Sequence, residues 1–185
     1  MAKFYAGIGS RETPPDVESL MQLVATSLEH EGWTLRSGGA KGADSAFERG
    51  AKTLKEIYIP WQGFRSRYQT ISGGDGIFVA DRLSGWSEAL KTVKQFHPAP
   101  HRLSREATML MARNAMQVLG PEVTCPGLFS SFVLCWTLGG EEVGGTSQAI
   151  RIAKSKGIPV YNLGSEGHIR SVTRYLETGQ KFYEN

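Results

Sequence analysis

The chain has 185 residues, of which 40% are hydrophobic and 21% charged, and its formal net charge is +3. This composition is typical of one globular domain and excludes a low-complexity or disordered protein. No apolar run approaches the roughly 20 residues of a membrane-spanning helix, and the first residues lack the apolar core of a signal peptide. Two cysteines, Cys125 and Cys135, are too few for a disulfide framework or a four-ligand metal site. We therefore expect a single domain over residues 1–185 in the reduced cytoplasm, with no membrane partner, no metal and no cofactor.

Strand-like and helix-like segments alternate along the chain. In chain order the predicted elements are strand 3–9, helix 13–32, strand 33–37, helix 43–54, strand 56–60, helix 87–96, helix 103–120, strand 130–137, helix 144–157, strand 158–163 and helix 166–179. Strands that alternate with helices predict a parallel sheet with helices on both faces. The nearly continuous apolar run at 130–137 is typical of a strand buried on both sides.

Residues 61–105 interrupt this alternation, and we interpret them as an insertion that contains one helix. They carry seven Lys or Arg against three acids, an excess of +4, so the remainder of the chain sums to −1. Aromatic residues are interleaved with these charges: Trp61, Phe64, Tyr68, Trp86 and Phe96. Such a mixture suits single-stranded nucleic acid, because cations bind phosphates and rings stack on bases. The alternative is that the rings belong to the core and the charges to a solvated face, which the small excess favours.

Three glycine clusters each stand between a predicted strand and a predicted helix, at residues 7–11, 37–44 and 139–146. In an open α/β sheet such turns lie at the carboxyl edge of the strands, where ligands bind. Their backbone N–H groups and the helix dipoles attract anions. The first cluster lacks the third glycine of the dinucleotide fingerprint and is not a Walker loop either. The clusters therefore predict a pocket for a phosphate or phosphoribosyl group.

The predicted ligand-binding residues are those of the clusters and a polar pair on an otherwise apolar helix: Gly7, Gly9, Ser10, Arg11, Ser37, Gly38, Gly39, Lys41, Gly42, Asp44, Arg113, Asn114, Gly144, Gly145 and Thr146. Lys41 suits a phosphate contact, with a solvated loop lysine as the alternative. Asp44 either bonds a ribose hydroxyl or stabilises a helix N-terminus. Arg113 and Asn114 must find partners or reach a cleft, because burying a polar group alone is costly. Met111 is predicted as core.

Four segments occur in the order found in the Rossmann-like domain of DNA-processing protein A (DprA/Smf): GIGSR, SGGAKGADSAFERGA, ARN and GGTSQAIRIAKSKGIPVYNL. The chain resembles a short, stand-alone version of this domain, of the kind found in phage genomes, within the SLOG superfamily. The resemblance implies a Rossmann-like, doubly wound parallel β-sheet of about five strands, flanked by helices in three layers. It also implies that the phosphate-binding edge receives a nucleotide or single-stranded DNA, and that the protein forms a homodimer or higher homo-oligomer.

The same superfamily includes the "lonely guy" (LOG) enzymes, which hydrolyse the N-glycosidic bond of nucleoside 5′-monophosphates. Arg113 stands where those enzymes place an arginine, which implies a catalytic role for it. The glutamate that closes their motif is replaced here by Ala149. A substitute carboxylate would have to come from Glu142, Glu141 or Asp44, and we take Glu142 as the candidate. Hydrolysis of an N-glycosidic bond is therefore the alternative function.

A third alternative is a binder of a small signalling nucleotide, which requires a closed pocket. The segment 61–105 distinguishes this possibility from DNA binding. A basic groove that leads to the glycine turns would indicate DNA, whereas a lid over the turns would indicate a small ligand.

Overall fold

The structure is a computed structural model that describes residues 2–65, 75–142 and 144–184. Its parallel strands form one sheet: β1 (Lys3–Gly9), β2 (Trp33–Ser37), β3 (Lys55–Ile59), β4 (Ile77–Val79), β5 (Val133–Trp136) and β6 (Val160–Asn162). The strand order is β4-β3-β2-β1-β5-β6. The helices are α1 (Pro15–His30), α2 (Ala43–Gly50), α3 (Trp86–Phe96), α4 (Arg105–Leu119), α5 (Thr146–Ser155) and α6 (Glu166–Thr178). The predicted Rossmann-like, three-layer α/β fold is confirmed.

The sheet separates two apolar cores. Residues of α1, α2 and α6 pack on one face, and residues of α3, α4 and α5 pack on the other. Successive side chains of a strand point to opposite faces, so β1 places Tyr5 in the first core and Ala6 in the second. Every residue of β5 is buried, as its continuous apolar sequence predicts.

The segment 61–105 contributes regular elements to this sheet. Strand β4 pairs in parallel with β3, and α3 packs against α4. Trp86 and Phe96 lie against the second core, which agrees with the core alternative for the aromatic residues. Residues 66–74, including Arg67 and Tyr68, lie outside the described residues. Strand β4 gives the sheet one strand more than the predicted five, because its apolar residues stand between glycines and charged residues that are typical of a loop.

An aromatic cluster lies at the amino edge of the sheet. Trp33 begins β2, Phe132 directly precedes β5, and their ring centroids are 4.9 Å apart. Tyr183 near the end of the chain stacks on Phe132 at 5.0 Å, and Phe182 packs beside it. The opposite, carboxyl edge is where the glycine turns lie. No helix within the described ranges is long and apolar enough to span a membrane.

Candidate functional site

The strand order reverses between β1 and β5. From β1 the chain continues through α1 to β2 on one side, and from β5 it continues through α5 to β6 on the other. Because α1 and α5 cover opposite faces, a crevice forms at the carboxyl ends of these two strands. The three glycine turns follow β1, β2 and β5 and so meet at this edge, as the sequence predicts.

A cavity of about 500 Å³ occupies this crevice, a volume within the usual range of ligand pockets. Nine of the predicted ligand-binding residues line it: Gly9, Ser10, Arg11, Asp44, Arg113, Asn114, Gly144, Gly145 and Thr146. Further lining residues come from the same turns and their flanks, from α4, from α5 and from the segment after β3: Ile8, Glu12, Ala40, Phe64, Leu110, Met111, Gln117, Thr137, Leu138 and Ala149. The tertiary structure therefore brings most of the predicted set into one cavity.

Arg113 and Asp44 form a buried pair in the cavity wall. Arg113 is 5% exposed and Asp44 3%, and Nη1 of Arg113 lies 3.8 Å from Oδ2 of Asp44. Burial raises the pKa of Asp44, opposed by the Arg113 charge and by the amide of Ala40, which donates to Oδ2 at 3.2 Å. Burial likewise lowers the pKa of Arg113, opposed by Asp44. Arginine nevertheless remains protonated in proteins, so the cavity wall carries a fixed cation.

The guanidinium of Arg113 is fixed by the backbone of the neighbouring strands. Its Nη1 donates to the carbonyl of Gly38 and, at 3.3 Å, to that of Tyr58. A Cβ atom on residue 38 would lie only 1.5 Å from this Nη1, so the guanidinium can lie this close to the backbone of residue 38 only if that residue is glycine. Nε of Arg113 is buried and has no hydrogen-bond partner within the described part of the chain. Gly38 therefore positions Arg113 without itself lining the cavity.

The first two glycine turns touch each other at Gly42. Its φ is 74°, and a Cβ there would lie 2.5 Å from the carbonyl oxygen of Ser10. The amide of Ala43 donates to the same oxygen at 3.2 Å. Glycine at position 42 thus permits the contact between the turns that follow β1 and β2.

Several predicted residues do not line the cavity. Ser37 is fully buried, and its hydroxyl donates to the carbonyl of Gly7 at 2.6 Å, so it links β2 to β1. The carbonyl of Gly39 accepts a hydrogen bond from Arg65. Lys41 and Gly42 line a separate depression.

The two glutamates considered as substitute carboxylates also lie away from the cavity lining. Glu142 forms an ion pair with Lys154 at the surface, and Glu141 is exposed. Ala149, which stands in the place of the glutamate of the LOG motif, lines the cavity with a methyl group. Among the described lining residues the carboxylates are therefore those of Asp44 and Glu12.

The third glycine turn is held in place from two sides. The side-chain amide of Asn114 donates to the carbonyl of Gly145 at 3.1 Å. Asn162, at the end of β6, accepts from the amide of Thr137 and donates to the carbonyl of Gly140. Helix α5 begins directly after Gly145, which has no side chain to cap it. Gly145 and Thr146 line the cavity, so α5 begins at the cavity, an arrangement that favours an anion.

One group of lining residues follows from helical geometry, although the sequence reasoning did not include it. Leu110 and Gln117 lie three residues before and four residues after Arg113, and such spacings place side chains on one face of a helix. Met111, predicted as core, packs on the second core and also lines the cavity. Leu138 is 72% exposed and lines the cavity, but no pattern in the sequence distinguishes it from its neighbours as a lining residue.

No protein-family model and no curated protein matches this chain. A solved structure of DNA processing protein A from Helicobacter pylori, described for its single-stranded DNA binding mode, does match in three dimensions. The TM-score is 0.54 and the sequence identity 17%, and the match covers 97% of this chain and 74% of that one. At this identity the likeness concerns the fold. The chain is thus similar in fold to DNA processing protein A, as the sequence motifs imply.

Proposed function

We propose that this chain binds single-stranded DNA, with phosphate groups held at the carboxyl edge of its sheet. The observation that carries the proposal is the convergence of the glycine turns and a buried arginine on one cavity. The similarity in fold to a protein described as binding single-stranded DNA supports the same assignment.

The chemistry of the cavity suits a nucleotide unit. Exposed Arg11 can bind a phosphate through two parallel hydrogen bonds, and amides at the start of α5 can donate to a second oxygen atom of the anion. Phe64, Leu138 and Met111 form an apolar part of the lining on which a base can pack. Stacking on an aromatic ring contributes about 1–3 kcal/mol per base and accepts every base. Phosphate binding beside an apolar wall is therefore the function that we assign to this cavity.

Fluorescence anisotropy titration with a labelled oligothymidylate at two salt concentrations tests the proposal. We expect binding by the parent protein that weakens with salt. Arg11→Gln should reduce the affinity about tenfold, because a charge-assisted hydrogen bond contributes about 1.5–3 kcal/mol. The matched control is Arg174→Gln, which removes an exposed arginine in the second half of α6. Absence of binding, or equal affinity of the two variants, would overturn the assignment.

A second candidate function is hydrolysis of the N-glycosidic bond of a nucleotide. Asp44 favours it, because this carboxyl group lines the cavity 3.8 Å from Arg113 and burial raises its pKa, as is typical of general acid–base groups. Glu142 does not support it, since that side chain pairs with Lys154 outside the cavity lining. Incubation with nucleoside 5′-monophosphates, followed by chromatography of the free base, tests this candidate. Release of free base by the parent protein, and none by Asp44→Asn, would establish hydrolysis. If the parent protein releases no free base, hydrolysis of these substrates is excluded.

A further inference from the structure

A second depression, of about 420 Å³, is lined in part by the turn between β2 and α2. We call it the basic groove, because Lys41, Arg49, Lys55 and Arg65 line it against one acidic residue, Glu48. Lys55 is 3.4 Å from Glu48, and Arg49 is paired at 2.8 Å with Glu18, which does not line the groove. The groove therefore has an excess of positive charge.

The basic groove and the cavity share a wall. Ala40 lines the cavity and Lys41 lines the groove, and in the same way Phe64 faces one depression and Arg65 the other. Asp44, whose helix begins at this wall, belongs to the cavity. Neighbouring residues of two separate segments thus divide one continuous surface into two adjoining depressions.

Arg65 is built into this wall. Its Nη1 donates to the carbonyl of Gly39 at 2.9 Å and lies 3.3 Å from the hydroxyl of Ser45. Its backbone has a φ of 52°, in the left-handed region that residues other than glycine seldom adopt. Such a conformation persists only where the surroundings hold it, and it is concentrated at functional sites. The side chain is therefore held at the boundary between the groove and the cavity.

The two depressions differ in charge. Arg11 and Arg113 in the cavity are balanced by Glu12 and Asp44. In the groove Arg49 and Lys55 pair with Glu18 and Glu48, whereas Lys41 and Arg65 form no ion pair with a carboxylate of the described residues. A mononucleotide in the cavity would not contact the cations of the groove. A polymer that continues across the shared wall would place its next phosphates against them.

We propose that the basic groove holds phosphates of the same DNA strand that enters the cavity, so that the ligand is an oligonucleotide rather than a mononucleotide. This inference rests on the proposed function. It assigns Arg49, Lys55 and Arg65, none of which is among the predicted ligand-binding residues, to the path of the strand outside the cavity.

Titrations with a thymidylate dinucleotide and an octanucleotide test the inference. We expect the parent protein to bind the octanucleotide at least about tenfold more tightly than the dinucleotide, since only the longer strand reaches the groove. The double variant Arg49→Gln/Lys55→Gln should lose most of this gain and keep the dinucleotide affinity. Its slope of log affinity against log salt for the octanucleotide should fall by about 1.4, because each lost phosphate contact on a single strand lowers it by about 0.7.

The control is Lys156→Gln/Arg174→Gln, which removes the same charge from exposed positions that line neither depression. Lys41→Gln, at an exposed position of the groove, repeats the test if the double variant does not fold. Equal affinity of the parent for both lengths overturns the inference and leaves the proposed function standing. The inference is also overturned if Arg49→Gln/Lys55→Gln weakens the binding of both oligonucleotides equally, or if the variant keeps the full affinity gain of the octanucleotide over the dinucleotide. Absence of binding to either length overturns the proposed function itself.

Discussion

Replacement of Gly38 by alanine tests how the structure positions Arg113. The new Cβ atom would lie 1.5 Å from Nη1 of Arg113 and 2.3 Å from Cζ, so the guanidinium must move. Nη1 would lose its bonds to the carbonyls of Gly38 and Tyr58. Two hydrogen bonds from a buried cation, at about 1.5 kcal/mol each, predict a loss of about 3 kcal/mol in the free energy of unfolding.

The assay is equilibrium urea denaturation, together with oligothymidylate titration. The matched control is Gly127→Ala, because Gly127 is exposed and a Cβ there meets no atom within 4 Å. Neither glycine has a left-handed backbone, so alanine brings no backbone strain in either variant. We expect the control to stay within about 0.5 kcal/mol of the parent, as is usual for surface substitutions. Gly38→Ala should also weaken oligonucleotide binding.

A double-mutant cycle with Arg113→Ala separates this contact from other causes. If the collision with the guanidinium accounts for the cost, Gly38→Ala should be much less destabilising in the Arg113→Ala background. The Nε2 atom of Gln117, 2.7 Å from the new Cβ, is the end of a flexible side chain and can move. The reasoning would be refuted if Gly38→Ala lowered the free energy of unfolding equally with and without Arg113→Ala. It would also be refuted if Gly38→Ala lowered this free energy no more than Gly127→Ala does.

Three further predictions concern other parts of the molecule. Burial acts to raise the pKa of Glu29, but hydrogen bonds from the amides of residues 52–54 outweigh it and lower the pKa below 4.5. This contribution to stability is present above pH 4.5 and is lost as the pH falls through the lowered pKa, so denaturation curves of Glu29→Gln and the parent should converge in acid. Burial raises the pKa of the Cys135 thiol to about 12, so a thiol reagent should label only exposed Cys125 in the native protein and both cysteines in urea. Asn162→Ala should destabilise the protein by about 2 kcal/mol and weaken oligonucleotide binding, because the third glycine turn loses one of its two side-chain partners. Unchanged oligonucleotide binding would show that this turn is not part of the binding site.

Oligomeric state and a phage-type origin stay predictions that follow from the resemblance alone, and cytoplasmic location stays a prediction that follows from the composition and the cysteine count. The catalytic role of Glu142 also remains a prediction, and the surface ion pair with Lys154 gives it no support. Sedimentation of the purified protein at several concentrations would measure the predicted homodimer directly.

The fold class could be predicted because it depends on local periodicity. The apolar run of β5 and the helical spacing in α1 and α4 are readable within single segments, and regular alternation of strands and helices allows few topologies. The short strand β4 was not predicted, because its apolar residues stand between a run of glycines and two charged residues, a composition that is typical of a loop.

The sequence by itself determined that three glycine turns would meet at one edge of a parallel sheet, since each turn directly follows a strand. Only the tertiary structure decided which side chains face the cavity, because that depends on contacts between distant segments. Arg113 is held in the cavity wall by a hydrogen bond to the carbonyl of Gly38, 75 residues away in the chain. Ser37 does not face the cavity, because its hydroxyl donates to the carbonyl of Gly7. The division of Ala40 and Lys41 between the cavity and the basic groove likewise depends on how the turn is packed, which no local pattern specifies.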